Sequence, residues 1–312
     1  MLNIELSSFA KDLEGLKNII NSGADSAFIG GQSFGMDTIS KNFTLEDLKE
    51  AVSFVHERNK KLYVTISLLP HNNDFDKLEE YLIELDQVGV DALIVSEPGT
   101  LEIVKKVIPK MIVHMGSQAN VYNYETAKFL HELGVKRVVT AKELGLKDLL
   151  DMRKNTPIDL EIEAFVHGGM CMSYSGRRLL SSYMSSKEDV SYEENKNYNL
   201  VEEKRPGQFC PIYEDEGGTL FYSSKDLCMI EFIPELIKSG VTTLSIEGNM
   251  KSNEYMAAVV KVYRKAIDEF IANPDGWSFK EEWLEELKKA SPRILTTGFY
   301  LEENKDYDDI EM

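Results

Sequence analysis

The chain has 312 residues and carries 53 acidic against 35 basic side chains, a net charge of −18 at pH 7. Such a field repels a nucleic-acid backbone, whose binding rests on neutralising phosphates, so only a local basic patch around Arg177, Arg178 and Lys187 could touch one. No apolar run approaches the ~18 residues that span a bilayer. The start, Met1 to Leu6, shows no basic-then-apolar leader, and three separated cysteines argue against a disulfide framework. The expectation is a cytoplasmic protein with no membrane association.

In chain order, strand-length apolar runs occur at Leu2–Leu6, Ser26–Ile29, Leu62–Ser67, Ala92–Val95, Met111–His114, Arg137–Thr140, Leu160–Val166 and Thr243–Ile246. Amphipathic helical stretches lie between them: Asp12–Asn21, Leu45–Glu57, Asp76–Val88, Thr100–Val107, Tyr124–Leu133 and Leu146–Met152. Two more helices follow, about Asn253 to Ala272 and Lys280 to Lys289. Four strands are preceded by one recurring phrase: Ser22-Gly-Ala-Asp25, Val88-Gly-Val-Asp91, Leu133-Gly-Val-Lys136 and Ser239-Gly-Val-Thr242. In each, glycine predicts a left-handed helix stop and the next residue a turn into a strand.

Eight strands with helical connections predict an α/β fold, a (β/α)8 TIM-like barrel with a long insertion between strands 7 and 8. The expected division is one barrel domain over 1–300, including the insertion 168–230, and an acidic tail over 301–312. Within the insertion, Lys187 to Arg205 is polar enough to form a mobile lid.

Active sites of such barrels sit at the carboxyl ends of the strands. That rule nominates His71, His114, Gln118, Asn120, Glu143, His167, Glu247 and Lys251 at one mouth, with Cys171 beside them. A single histidine there is more often a packed core residue than a reactive one, but the convergence of several polar groups predicts a ligand pocket. Cys171, Ser173 and Ser175 lie near His167 in sequence, yet no nucleophile elbow and no zinc signature accompanies them.

Several phrases together resemble peptidase family U32. They include Phe28-Ile-Gly-Gly31, Asn42-Phe-Thr44, Gly116-Ser-Gln-Ala-Asn120, Phe165-Val-His-Gly-Gly-Met-Cys171, Ser224-Lys-Asp-Leu-Cys228, Ile246-Glu-Gly248 and Thr296-Thr-Gly-Phe-Tyr300. The resemblance implies either collagenase-like proteolysis or oxygen-independent hydroxylation of transfer RNA, ribosomal RNA or ubiquinone. The most similar type is the short member of a pair serving prephenate-dependent hydroxylation of a transfer-RNA wobble uridine at position 5. It also implies a longer family partner, with transfer RNA and a prephenate-like small molecule as further binding candidates. A barrel that has lost catalysis and acts as a scaffold is the remaining reading.

Family members related to the quinone branch hold a 4Fe-4S cluster through four cysteines. By resemblance, Cys171 and Cys228 match the first and last, while Arg178 stands at the second position and the segment Val190 to Asn199 lacks the third. Cys210 matches no ligand position. The expectation is therefore no cofactor, the alternative being an incomplete or partner-completed cluster. By the same resemblance, Asp37 and Ile39 stand at positions where the family is basic, and Lys142 and Asn249 where it usually carries arginine, which weakens bidentate recognition of an anion.

Overall fold

The computed structural model describes residues 4–31, 33–35, 43–173, 177–185, 196–204, 206–215, 218–249, 251–291 and 293–301. Gln32, Asp37, Ile39, Tyr174, Ser175, Lys187 and the tail beyond 301 lie outside the described residues.

Twelve strands are present among the described residues: β1 (Glu5–Phe9), β2 (Ser26–Gly30), β3 (Lys61–Ile66), β4 (Ala92–Val95), β5 (Val113–Met115), β6 (Arg137–Val139), β7 (Glu161–Cys171), β8 (Asn197–Val201), β9 (Phe209–Asp215), β10 (Gly218–Cys228), β11 (Thr243–Ile246) and β12 (Leu295–Thr296). The helices are α1 (Leu13–Asn21), α2 (Leu45–His56), α3 (Phe75–Val88), α4 (Pro98–Val107), α5 (Tyr124–Glu132), α6 (Leu146–Asn155), α7 (Leu179–Met184), α8 (Ile233–Lys238), α9 (Asn253–Ala272) and α10 (Glu281–Ala290). Strands β1 to β7 pair in sequence, all parallel, and β11 closes the ring by pairing with both β7 and β1. The result is a closed eight-stranded parallel barrel flanked by helices, as the alternation predicts.

Local chemistry explains where the helices begin and stop. Asp12 caps α1 by accepting from the Gly15 N–H at 2.7 Å, and Thr44 and Asp47 form a reciprocal capping box on α2. Glu97 caps α4 ahead of Pro98, where the missing N–H costs nothing. All four phrase glycines have positive φ: Gly23, Gly89, Gly134 and Gly240, between 86° and 110°. Two of them also sit under a neighbour. A Cβ on Gly23 would press on the Arg264 side chain, and one on Gly240 on that of Arg153.

Most strand boundaries shift by one or two residues from the sequence expectation, and β1 and β7 shift further. β1 runs Glu5–Phe9, on past the expected end at Leu6, while Leu2 and Asn3 lie outside the described residues. β7 runs through Gly168 and Gly169 to Cys171 instead of ending at Val166. Gly168 carries this extension: its φ is +112°, and a Cβ there would collide with the Glu247 carbonyl. Beyond the barrel, β7 pairs antiparallel with β10, and β9 and β8 add further antiparallel strands. This arm replaces part of the expected lid: residues 197–201 are strand β8, whereas 186–195 lie outside the described residues.

The core lies between the barrel and its helices. The long α9 buries Tyr255, Met256, Val259, Val260, Tyr263, Ile267 and Phe270 on one face. No helix is long and apolar enough to cross a membrane among the described residues.

Candidate functional site

The carboxyl ends of the strands surround a narrow cleft. Its wall comes from nearly every strand: Phe28, Thr65 and Ser67, Ile94 and Ser96, Gly116 to Gln118, Val139 and Lys142, Glu163 and Phe165, and Glu247. Cys171 and Ser173 close it from the extended end of β7. An outer cleft continues past Gln118, Lys142 and Cys171 to Asn120, Glu143, Met170 and Phe299.

One charged pair dominates this mouth. Lys142 Nζ lies 3.7 Å from Glu247 Oε2 and 4.6 Å from the centre of the Phe165 ring. The other Glu247 oxygen accepts from the backbone N–H groups of Gly248 and Asn249 at 3.1 and 3.3 Å. Both side chains are largely buried, so their charges act through little water. Tyr300 holds the C-terminal segment against the mouth by donating to the Phe165 carbonyl at 2.6 Å, which places Phe299 on the rim. The wall offers hydroxyls, an amide, an ammonium and carboxylates around a partly apolar floor. This arrangement suits a small oxygen-rich ligand.

Of the nominated residues, Gln118, Asn120, Glu143, Glu247 and Cys171 line the two clefts. The other four do not. His71 is exposed ahead of a single 3-10 turn, where its N–H donates to Asp74 Oδ2 at 2.8 Å. His114 is buried inside the barrel against the edge of Tyr63, 4.8 Å between ring centres. Burial, reinforced by Arg137, holds its pKa well below the usual imidazole value. Lys251 turns to Asp226 on β10, 2.5 Å away, and covers the Tyr255 ring.

His167 is the largest correction. It points out of the barrel wall into α9, fully buried, with Nε2 2.9 Å from the Tyr255 hydroxyl and Nδ1 3.3 Å from that of Tyr263. Burial pushes its pKa down to about 3. Alternation explains the error: a histidine two residues after the inward Phe165 should face the pocket, but a register shift opposite Ser245 and Ile246 turns it out.

The cysteines do not converge. Cys171 lies opposite Tyr222 across the β7–β10 pair, whereas Cys228 lies opposite His167. Four residues of β7 separate those positions, about 13 Å at ~3.3 Å per residue. A shared cluster needs its thiolates gathered around one small centre, and this separation leaves the pair without that convergence. The Cys228 thiol is pushed up by burial and sits 3.8 Å from the Tyr263 hydroxyl. Arg178, at the family's second cysteine position, lies 3.8 Å from the fully buried Glu214. That carboxylate also accepts from the Leu180 and Ser181 N–H groups at the start of α7. Among the described residues, no group of three His, Cys, Asp or Glu side chains is placed to hold a metal ion.

Residues 11–309 match the profile of peptidase family U32. The chain belongs to that family. Among its U32 relatives, tRNA hydroxylation protein P1 of Bacillus subtilis is 38% identical over 95% of this chain and 70% of its own length. tRNA hydroxylation protein P2 of the same organism is 32% identical over 91% of this chain and 93% of its own length. Identity is thus higher to P1, while P2 is covered more completely. A solved U32 peptidase structure superposes with a TM-score of 0.53 at 13% identity, covering 80% of this chain and 94% of that one. At that identity the likeness concerns the fold.

Glu163 and Phe165 are among the wall residues that sequence reading missed. The available signal was charge within a buried strand: Glu161 and Glu163 alternate inside the apolar run of β7, where a carboxylate must find a buried partner.

Proposed function

We propose that this U32 protein is a subunit of a transfer-RNA hydroxylation system that binds a small oxygen-rich cosubstrate, of the prephenate type, in its barrel mouth. The observation that carries this reading is its identity, over more than nine-tenths of its length, to two relatives named as tRNA hydroxylation proteins. The Lys142–Glu247 pair beside hydroxyls and the Gln118 amide supports the ligand class. A net charge of −18 leaves most phosphate contacts with the transfer RNA to a second, longer family member.

The antiparallel arm suits such a partner. Met172, Leu179, Tyr183, Leu200, Val201 and Phe209 are all more than half exposed there. Peptide hydrolysis is disfavoured by the placement of His167: both ring nitrogens face tyrosine hydroxyls on α9, so it does not serve Cys171 as a base. Mass spectrometry of transfer RNA from a deletion strain tests the reading. Loss of the hydroxylated wobble uridine, restored by the wild-type gene and not by Lys142→Met, is expected. Unchanged hydroxylation in the deletion strain sinks it.

A further inference from the structure

Three carboxylates crowd one guanidinium inside this barrel. Arg137 Nη1 and Nη2 hold the two Glu5 oxygens at 3.0 and 2.8 Å, and its Nε donates to Glu161 at 2.8 Å. From Arg137, Glu163 receives only a longer bond of 3.2 Å, by the same Nη1 that already serves Glu5, with the Ser245 hydroxyl of β11 as its other polar side-chain neighbour. Glu5 is saturated further by the hydroxyls of Ser26 at 2.7 Å and Tyr63 at 2.8 Å. Glu161 is 30% exposed and keeps contact with water. Glu163 is 3% exposed and is the only one of the three that also lines the mouth cleft.

The other charged or titratable groups around it do not neutralise a third carboxylate. Tyr63 on β3 donates to Glu5, Lys61 lies 3.9 Å from Glu5, and His114 on β5 is held neutral. Above the floor, Lys142 is paired with Glu247. A single guanidinium therefore faces three acids, and two of them hold it by the better hydrogen bonds.

We propose that Glu163 stands at the floor of the mouth cleft as a neutral carboxylic acid that donates a hydrogen bond to an acceptor oxygen of the bound small molecule. Burial raises its pKa despite the neighbouring Arg137, in keeping with that role. A buried acid of this kind is a stronger donor than a hydroxyl and selects a ligand that presents a carbonyl or carboxylate oxygen inward. With Lys142 at the opposite level of the wall, the cleft would grip one ligand by an ammonium above and an acid below. Glu163 is then a specificity-determining residue rather than only a structural ion-pair member.

The infrared difference spectrum of the wild-type protein against Glu163→Gln, at neutral pH in heavy water, tests the protonation directly. A carboxylic C=O band present in the wild type and lost in the variant is expected; its absence means an ionised Glu163 and overturns the proposal. The activity arm rests on the transfer-RNA reading above and compares complementation of the deletion strain. Glu163→Gln, which keeps a neutral donor, should lower hydroxylation by less than about threefold, and Glu163→Ala by more than about tenfold. A Gln variant as deficient as the Ala variant, with unfolding midpoints like the wild type, also overturns it. Should Glu163→Ala fail to fold, the infrared arm and the Gln variant decide. If the deletion strain keeps its hydroxylated uridine, the function reading fails while the infrared arm still judges the acid.

Discussion

The two ends of the barrel solve opposite problems with the same residue types. At the amino-terminal end, Arg137 is almost fully buried and every carboxylate near it is within 3.2 Å. At the carboxyl end, Lys142 and Glu247 lie 3.7 Å apart on the wall of an open cleft. The first ties β1, β6 and β7 together through Glu5 and Glu161, with Glu163 the least well held of the three acids. The second is loosely paired, with room for a ligand between its charges. Buried charge serves stability only where hydrogen bonds complete it, and a site must leave some of those bonds to its ligand.

The sharpest way to break this contrast is to remove one cation from each end. Arg137→Met strands the buried Glu5 carboxylate and should cost about 3–5 kcal/mol, read from the urea midpoint. Lys142→Met should cost less than the Arg137 change, because Glu247 keeps the Gly248 and Asn249 N–H groups, yet lower transfer-RNA hydroxylation more than about tenfold. A reversal of the two stability effects would show that the mouth, not the base, carries the fold.

Acid should unfold the protein from the groups that the structure keeps neutral or tightly paired. His167 has a folded pKa of about 3 against 6.5 for the free group, so its contribution is full above pH 6.5 and is lost as pH falls towards 3. Glu5, held at about 2 against 4.5 by hydrogen bonds and the charge of Arg137 that outweigh burial, adds a second loss between pH 4.5 and 2. That second loss amounts to about 3 kcal/mol. Glu163 runs the other way: its raised pKa gives stability below pH 4.5 that is lost as pH rises through the folded value. A urea midpoint that falls from pH 7 to pH 4, less steeply in His167→Gln, is expected.

Glycine substitutions give the cleanest test. Gly168→Ala must push against the Glu247 carbonyl as well as adopt a φ of +112°, and should cost about 2 kcal/mol or more and lower activity with it. Gly89→Ala has open space and a φ of +86°, and should cost about 1 kcal/mol with activity retained. Equal effects at both positions would mean that β7 does not register Glu247 at the mouth.

Much of the site was legible because strand ends are legible. Gln118, Asn120, Glu143, Glu247 and Cys171 follow apolar runs and do reach the clefts. The histidines misled for separate reasons. His114 lies within β5 rather than past it, His167 is turned by a register shift, and His71 caps an exposed turn. Glu163 went unseen because its meaning depends on Arg137, 26 residues away in the chain.

What the sequence determined by itself was periodic and local: the strand–helix alternation, the helix stops at Gly23, Gly89, Gly134 and Gly240, and the motifs that mark the family. Those signals are set by backbone conformation and by burial of one face, which neighbours in sequence encode. Only the tertiary structure decided which way His167 points, that Cys171 and Cys228 stand apart, and that Glu5, Glu161 and Glu163 share one arginine. Those facts depend on register between strands and on long-range charge pairing, and a one-residue slip would exchange the pocket face of β7 for its core face.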